Sequence, residues 1–310
     1  MSPPIITCAL TGGYHDKTTH PGLPEQPDEI VEQGIRAWEA GAAVLHVHAR
    51  DPDGHNTMDK EIYREIHDRL CAATDAIVQL TTGGGLAMSL DERLTTALLN
   101  PEMCSLNMGF VLFFQRGRGM MLANPRPQIE RYAREMRERG VKPELELYNV
   151  TMLEEAERLV DAGLLTPPYN LSFVLNTPGQ GAARGTWQNL ADMARRLPEG
   201  ANCNVIAIGR AQLPLTTMGL AMGLNVRVGL EDNIRYSRDA LARDNAQLVE
   251  RTVRIARELQ LEPATPDEAR AILGTRGRAK HERPRPVVDD EAFVVPSPEE
   301  AQFATGEFHP

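Results

Sequence analysis

The chain is poor in the residues that build several kinds of protein. It has only four cysteines, Cys8, Cys71, Cys104 and Cys203, and none forms a CxxC pair. That scatter supports neither a disulfide framework nor a thiolate zinc site. Lysine is scarce: Lys17, Lys60, Lys142 and Lys280 are the full set, and none ends an apolar run, which disfavours a Schiff-base aldolase. Positive charge is in the minority, 33 Lys+Arg against 43 Asp+Glu, a formal net charge of −10. An acidic surface repels a phosphate backbone, so nucleic acid is not an expected partner. Nothing approaches the roughly 18 uninterrupted apolar residues of a membrane-spanning helix. The start, MSPPIITCALTGG, has no basic region before its short apolar run, so no signal peptide is expected and the cytoplasm is the expected location. The glycine-rich segments match neither a Walker A pattern nor GxGxxG.

What is present is an ordinary globular composition, 42% hydrophobic and 25% charged. Short apolar runs rich in β-branched residues begin at Ile5, Ala43, Ala76, Met103, Glu144, Asn170, Asn204 and Val226. Between them lie segments with apolar spacing near 3.6 and a terminal glycine suited to a helix C-cap, such as PDEIVEQGIRAWEAG, ERYAREMRERG and LEEAERLVDAG. Strand–helix alternation repeated eight times predicts an α/β fold, a closed (β/α)8 TIM barrel, with an open doubly wound sheet as the competitor. A long helix is expected over Ser237 to Leu259, then a short capped one from Pro266. The barrel is assigned to residues 1–274 as one catalytic domain. Residues 275–310, basic and proline-bearing and then acidic, are expected to form a C-terminal arm, loose or laid on a neighbouring subunit.

In such a barrel the chemistry sits at the C-terminal ends of the strands. His46 and His48 end strand two, and the period of two puts both imidazoles on one face, as a borderline metal requires. Two polar residues capping a strand would look the same. On strand eight Arg227, Gly229 and Glu231 share a face, so Glu231 is placed to complete a His2Glu set, the pattern of catalytic zinc. Alternatively Glu231 pairs with Arg227 or caps the next helix. Glu144 and Glu146 enter from one side of strand five, for substrate orientation or for an ion pair with Arg227. Thr81, Thr82 and the glycines after them, Gly84 included, offer donors to an oxyanion, or merely a tight turn. Asn107 ends strand four, and Arg210 follows strand seven, where phosphate-bearing cofactors often bind in this architecture.

The segments ITCALTGG, HVHARDPDG, TTGGG, CSLNMGF, PELELY and VRVGLEDNI, in this order, resemble the β-keto acid cleavage enzymes, from about Ile5 to Leu273. The resemblance implies a zinc-dependent barrel, commonly a homotetramer. It implies condensation of a β-keto acid with acetyl-CoA, giving acetoacetate and a new acyl-CoA. Carried over, His46, His48 and Glu231 match the metal ligands, and Asp232 with Arg227 matches the pair that deprotonates the keto acid. Thr81 or Thr82, Asn107 and Glu144 match pocket positions. One departure stands out: where a member acting on an amino-bearing keto acid has a glutamate, this chain has Tyr14, with Asp16 two residues on as the alternative carboxylate. A neutral or hydroxylated substrate side chain is therefore expected.

Two other readings are kept. One is a metal-dependent hydrolase or retro-aldolase needing no coenzyme A. It is set back because no histidine occurs between His67 and His281, whereas amidohydrolase-type barrels use histidines on strands five and six. The other is a non-catalytic barrel that senses a metabolite.

Overall fold

A computed structural model describes residues 2–85, 88–115 and 118–277. Eight strands close into a barrel: β1 Ile6–Ala9, β2 Val44–Val47, β3 Ile77–Leu80, β4 Met103–Asn107, β5 Lys142–Leu147, β6 Asn170–Leu175, β7 Asn202–Ala207 and β8 Asn225–Val228. Each pairs in parallel with its sequence neighbours, and β8 closes on β1 through Ile6↔Val226, Thr7↔Arg227 and Cys8↔Val228. The (β/α)8 fold is therefore as the alternation implied, and the open sheet is excluded.

The strands are buried on both faces, which is why they appear as continuous apolar runs rather than alternating ones. Helices cover the outside: α1 Pro27–Glu39, α2 Lys60–Ala73, the short α3 Leu90–Leu94, α4 Arg126–Arg139, α5 Met152–Asp161, α6 Trp187–Ala194, α7 Gln212–Ala221 and α8 Asn245–Glu258. A last helix, α9 Pro266–Leu273, crosses the N-terminal end of the barrel. There Ala269 and Leu273 pack with Ile5, Val44, Ile77 and Met103. Among the described residues, no helix is long and apolar enough to cross a membrane.

Helix α8 corrects the expectation of a helix from Ser237. It begins at Asn245 because the Asp244 carboxylate accepts from Gln247 N at 2.8 Å and caps it. The preceding segment turns back on itself through an Arg235–Leu241 bridge. Asn245 then ties the helix to the barrel, accepting from Leu230 N at 2.9 Å and donating to Leu10 O at 3.0 Å. Helix α9 ends at Gly274 in the left-handed conformation (φ 67°). Thr275 and Arg276 remain pinned to the barrel, on Glu102 Oε2 at 3.2 Å and on Arg139 O. From residue 278 on, the expected arm lies outside the described residues.

Two loops at the C-terminal face are more elaborate than periodicity suggested. After β2, Ala49–Arg50 pairs with Asn56–Thr57. After β4, Val111–Gln115 and Arg118–Leu122 form an antiparallel pair that Gly179–Gln180 joins. Both loops wall the barrel mouth.

Candidate active site

The strand ends converge on one cavity of about 200 Å³, whose lining includes Tyr14, His46, His48, Thr81, Gly84, Asn107, Arg227, Glu231 and Asp232. His46 ends β2 on its inward face, and His48, two residues on, joins it there; their ring centroids are 5.3 Å apart. Glu231 reaches them from the turn after β8. Its Oε1 lies 3.7 Å from His46 Nε2 and 3.5 Å from His48 Nε2, and one ligand atom from each residue falls within 4.8 Å of the others.

That turn is unusually close to its neighbour strand. Gly229 (φ 137°) passes so near β1 that a Cβ there would sit 2.1 Å from Ala9 O. Gly12 (φ 68°) lies under Glu231, where a Cβ would come within 2.4 Å of Glu231 Cγ. Glycine at both positions is what lets the carboxylate lean into the cavity.

The alternatives for Glu231 turn out to coexist. Arg227 Nη2 donates to Glu231 Oε1 at 2.9 Å while the same guanidinium grips Asp232, Nε to Oδ2 at 2.9 Å and Nη2 to Oδ1 at 2.7 Å. Its Nη1 lies 3.5 Å from Glu146 Oε1. Three carboxyl groups thus share one buried cation, and their acidities separate. Burial pushes Glu231 up, but the neighbouring Arg227 guanidinium, the largest opposing influence, holds the carboxylate ionised. For Asp232 burial outweighs Arg227 and raises its pKa above the usual carboxylate range. Burial lifts Glu146 to about 8. Burial likewise drops His46 to about 3 and lowers His48, so both imidazoles are neutral at physiological pH.

These donors fit a divalent metal. Two neutral imidazoles and a carboxylate are a borderline-metal set. Glu231 Oε2 adds an independent sign: it is buried and has no hydrogen-bond partner, a costly state that a bound cation would relieve. The other acidic cluster among the described residues, Asp51, Asp53 and His55, is a loop turn in which Asp51 Oδ1 accepts from Asp53 N and His55 N.

Three sequence candidates do not reach the cavity. Glu144 lies one layer deeper than Glu146, its oxygens taken by Ser172 Oγ at 2.6 Å, Asn204 Nδ2 at 3.0 Å and Gln79 Nε2. Thr82, next to inward Thr81, faces away, and its hydroxyl donates to Ser105 O at 2.7 Å. Arg210 is exposed on the Gly209–Ala211 turn after β7. Against these, sequence reasoning passed over four contributors. Tyr148 donates to Asn107 Oδ1 at 2.8 Å. Buried Arg93 holds the glycine turn by donating to Thr82 O at 2.8 Å. Arg50 holds the Tyr14 loop through Gly12 O at 2.7 Å and His15 O at 2.8 Å. Gln79 contacts His46 Nδ1 through Oε1 at 2.6 Å. A glutamine inside the apolar run AIVQL, in register with His46, was the available signal.

The beta-keto acid cleavage enzyme family matches residues 3–275. The chain belongs to this family. It is 37% identical over 273 residues to the 3-keto-5-aminohexanoate cleavage enzyme of Fusobacterium nucleatum, covering 88% of this chain and 98% of that one. It is 35% identical over 301 residues to the 3,5-dioxohexanoate:acetyl-CoA acetone transferase of Paraburkholderia graminis, covering 89% and 96%. Among solved structures, apo ObcA superposes with a TM-score of 0.70 at 21% identity, over 82% of this chain and 66% of that one. That likeness speaks for the fold alone. By family the chain is an enzyme, an acyltransferase.

Proposed function

We propose that this enzyme condenses a β-keto acid with acetyl-CoA, using a zinc ion held by His46, His48 and Glu231, and releases acetoacetate and a new acyl-CoA. The observation that carries the proposal is the pairing of that three-donor cluster with the Arg227–Asp232 clamp in one cavity. The relatives' names support its acetyl-CoA chemistry.

A zinc ion held by His46, His48 and Glu231 would supply Lewis acidity, making the proton between the two carbonyl groups of a β-keto acid easier to remove. The chain's own groups do the rest. Asp232 accepts a proton from the carbon between the carbonyl groups. Its raised pKa makes it a stronger base than an ordinary carboxylate, and Arg227 fixes its orientation. The resulting carbanion bonds to the thioester carbon. The oxyanion so formed lies by the Thr81–Gly85 turn, where Arg93 and Thr96 hold the backbone through Thr82 O and Thr81 O. The oxyanion re-forms its carbonyl and expels the coenzyme A thiolate, which adds to the neighbouring carbonyl carbon. The original C–C bond then cleaves, and its electron pair takes back the proton that Asp232 held. One enclosed pocket makes that transfer effectively unimolecular. Glu144 is assigned a supporting role beneath the cavity, and exposed Arg210 the phosphate-bearing end of coenzyme A, which is too long for the cavity itself.

The substrate side chain is read as uncharged. Among the described lining residues, the carboxyl groups of Glu146, Glu231 and Asp232 all face the one guanidinium there, Arg227. The lining also includes the apolar or aromatic Phe113, Leu122, Val174, Pro178, Ile208 and Tyr14, beside the polar His15, Asn56 and Thr177. A homotetramer is proposed from the family resemblance and is checked by sedimentation. The decisive assay incubates the zinc-loaded enzyme with a panel of β-keto acids, with and without acetyl-CoA. Acetoacetate formed only with acetyl-CoA is expected; equal cleavage without it would favour a hydrolase or retro-aldolase.

A further inference from the structure

Glu144 and Gln79 lie beneath the cavity, yet they decide which nitrogen His46 presents to it. We infer that they form a positioning pair for the metal site, compelling His46 to carry its proton on Nδ1 and to turn a bare Nε2 toward Glu231. The inference rests on the zinc reading above.

A carboxylate only accepts, so the end of the Gln79 amide that faces Glu144 Oε2 is Nε2. The opposite end is then Oε1, which also only accepts. It lies 2.6 Å from His46 Nδ1, so that nitrogen must donate. The lone pair is left on Nε2, the atom 3.7 Å from Glu231 Oε1. A glutamine alone can offer either end to an imidazole; the carboxylate removes the choice. Glu144 is itself fixed, because Ser172 and Asn204 both donate to Oε1 and leave Oε2 for Gln79. The parts come from β3, β5, β6 and β7, so they move only if the barrel does. Ligating imidazoles commonly donate their far N–H to a carboxylate or carbonyl, and loss of that partner weakens metal binding by roughly 10–100-fold. Here an amide relays the carboxylate's demand across the barrel.

The test uses the full chain and two variants, Gln79→Leu and the isosteric Glu144→Gln. Zinc dissociation constants come from chelator competition, and the His46 tautomer of the metal-free protein from nitrogen-15 NMR of the imidazoles. Wild type is expected to show one tautomer, protonated at Nδ1. Glu144→Gln should shift His46 toward the Nε2-protonated tautomer and bind zinc several-fold more weakly, and Gln79→Leu should bind it at least tenfold more weakly. A purely structural role would lower the melting temperature and move neither readout. The inference is overturned if Glu144→Gln keeps the wild-type tautomer with affinity within twofold, and that variant decides should Gln79→Leu not fold. If wild type binds no zinc, the proposed function fails, and the tautomer comparison still judges the pair.

Discussion

The two ends of the barrel solve the problem of buried charge in opposite ways. At the N-terminal end, buried Glu102 accepts two hydrogen bonds from Arg270 of α9, at 2.9 and 2.8 Å, above a layer of Ile5, Val44, Ile77 and Met103. The charges there are matched and the apolar side chains are closed over. At the C-terminal end, one guanidinium serves three carboxyl groups, one carboxylate oxygen has no partner, and the acidities of neighbouring groups are driven apart. The first arrangement holds a fold together; the second is left incomplete for something to bind.

Substitutions should therefore separate the two ends. The largest effect is expected of Glu231→Ala or His46→Ala, each lowering kcat/KM by about a thousandfold or more while circular dichroism stays that of the wild type. Undiminished turnover in both would contradict the metal assignment. Next, Asp232→Asn keeps the shape of the clamp but removes the base, so kcat should fall by about a hundredfold with zinc content unchanged; equal loss of zinc would recast Asp232 as a support for Glu231. At the opposite end, Leu273→Ala should cost about 3 kcal/mol of stability, read by urea unfolding, and leave kcat/KM within about twofold. A large loss of activity there would mean that the two ends are coupled.

The smallest effect is one of pH. Glu146 keeps its proton up to about 8 in the folded chain, whereas the unfolded chain releases it in the ordinary carboxylate range. Its contribution to stability is therefore complete in acid, below that range, and is lost as pH rises toward 8. Glu146→Gln cannot ionise. It should melt with the wild type near pH 4 and a few degrees above it near pH 8. The same difference in melting temperature at both values would show that Glu146 is not strained by ionisation.

The barrel itself was legible, because eight buried strands separated by amphipathic helices leave a pattern that needs only local sequence to see. Sidedness was legible as well: His46 with His48, and Arg227 with Glu231, follow from the period of two. Depth was not. Glu144 and Glu146 share a face, and only the stagger of neighbouring strands decides which reaches the cavity and which is sealed among Ser172, Asn204 and Gln79. The choice between Thr81 and Thr82 depended on knowing which of two adjacent residues faces inward. Helix α8 was drawn too long because its start is set by the Asp244 cap and by the tie of Asn245 to Leu10 and Leu230, residues more than 200 and about 15 positions away. The paired strands after β4, which Gly179–Gln180 joins, are not foreshadowed by the strand–helix period.

The proposed chemistry requires that His46, His48 and Glu231 together hold one ion. The most direct measurement is zinc content by elemental mass spectrometry after equilibration with the metal and removal of excess. One zinc per chain in wild type, and less than about a tenth of that in Glu231→Ala, is the predicted result. Wild type without bound zinc, or equal zinc in both proteins, would contradict it.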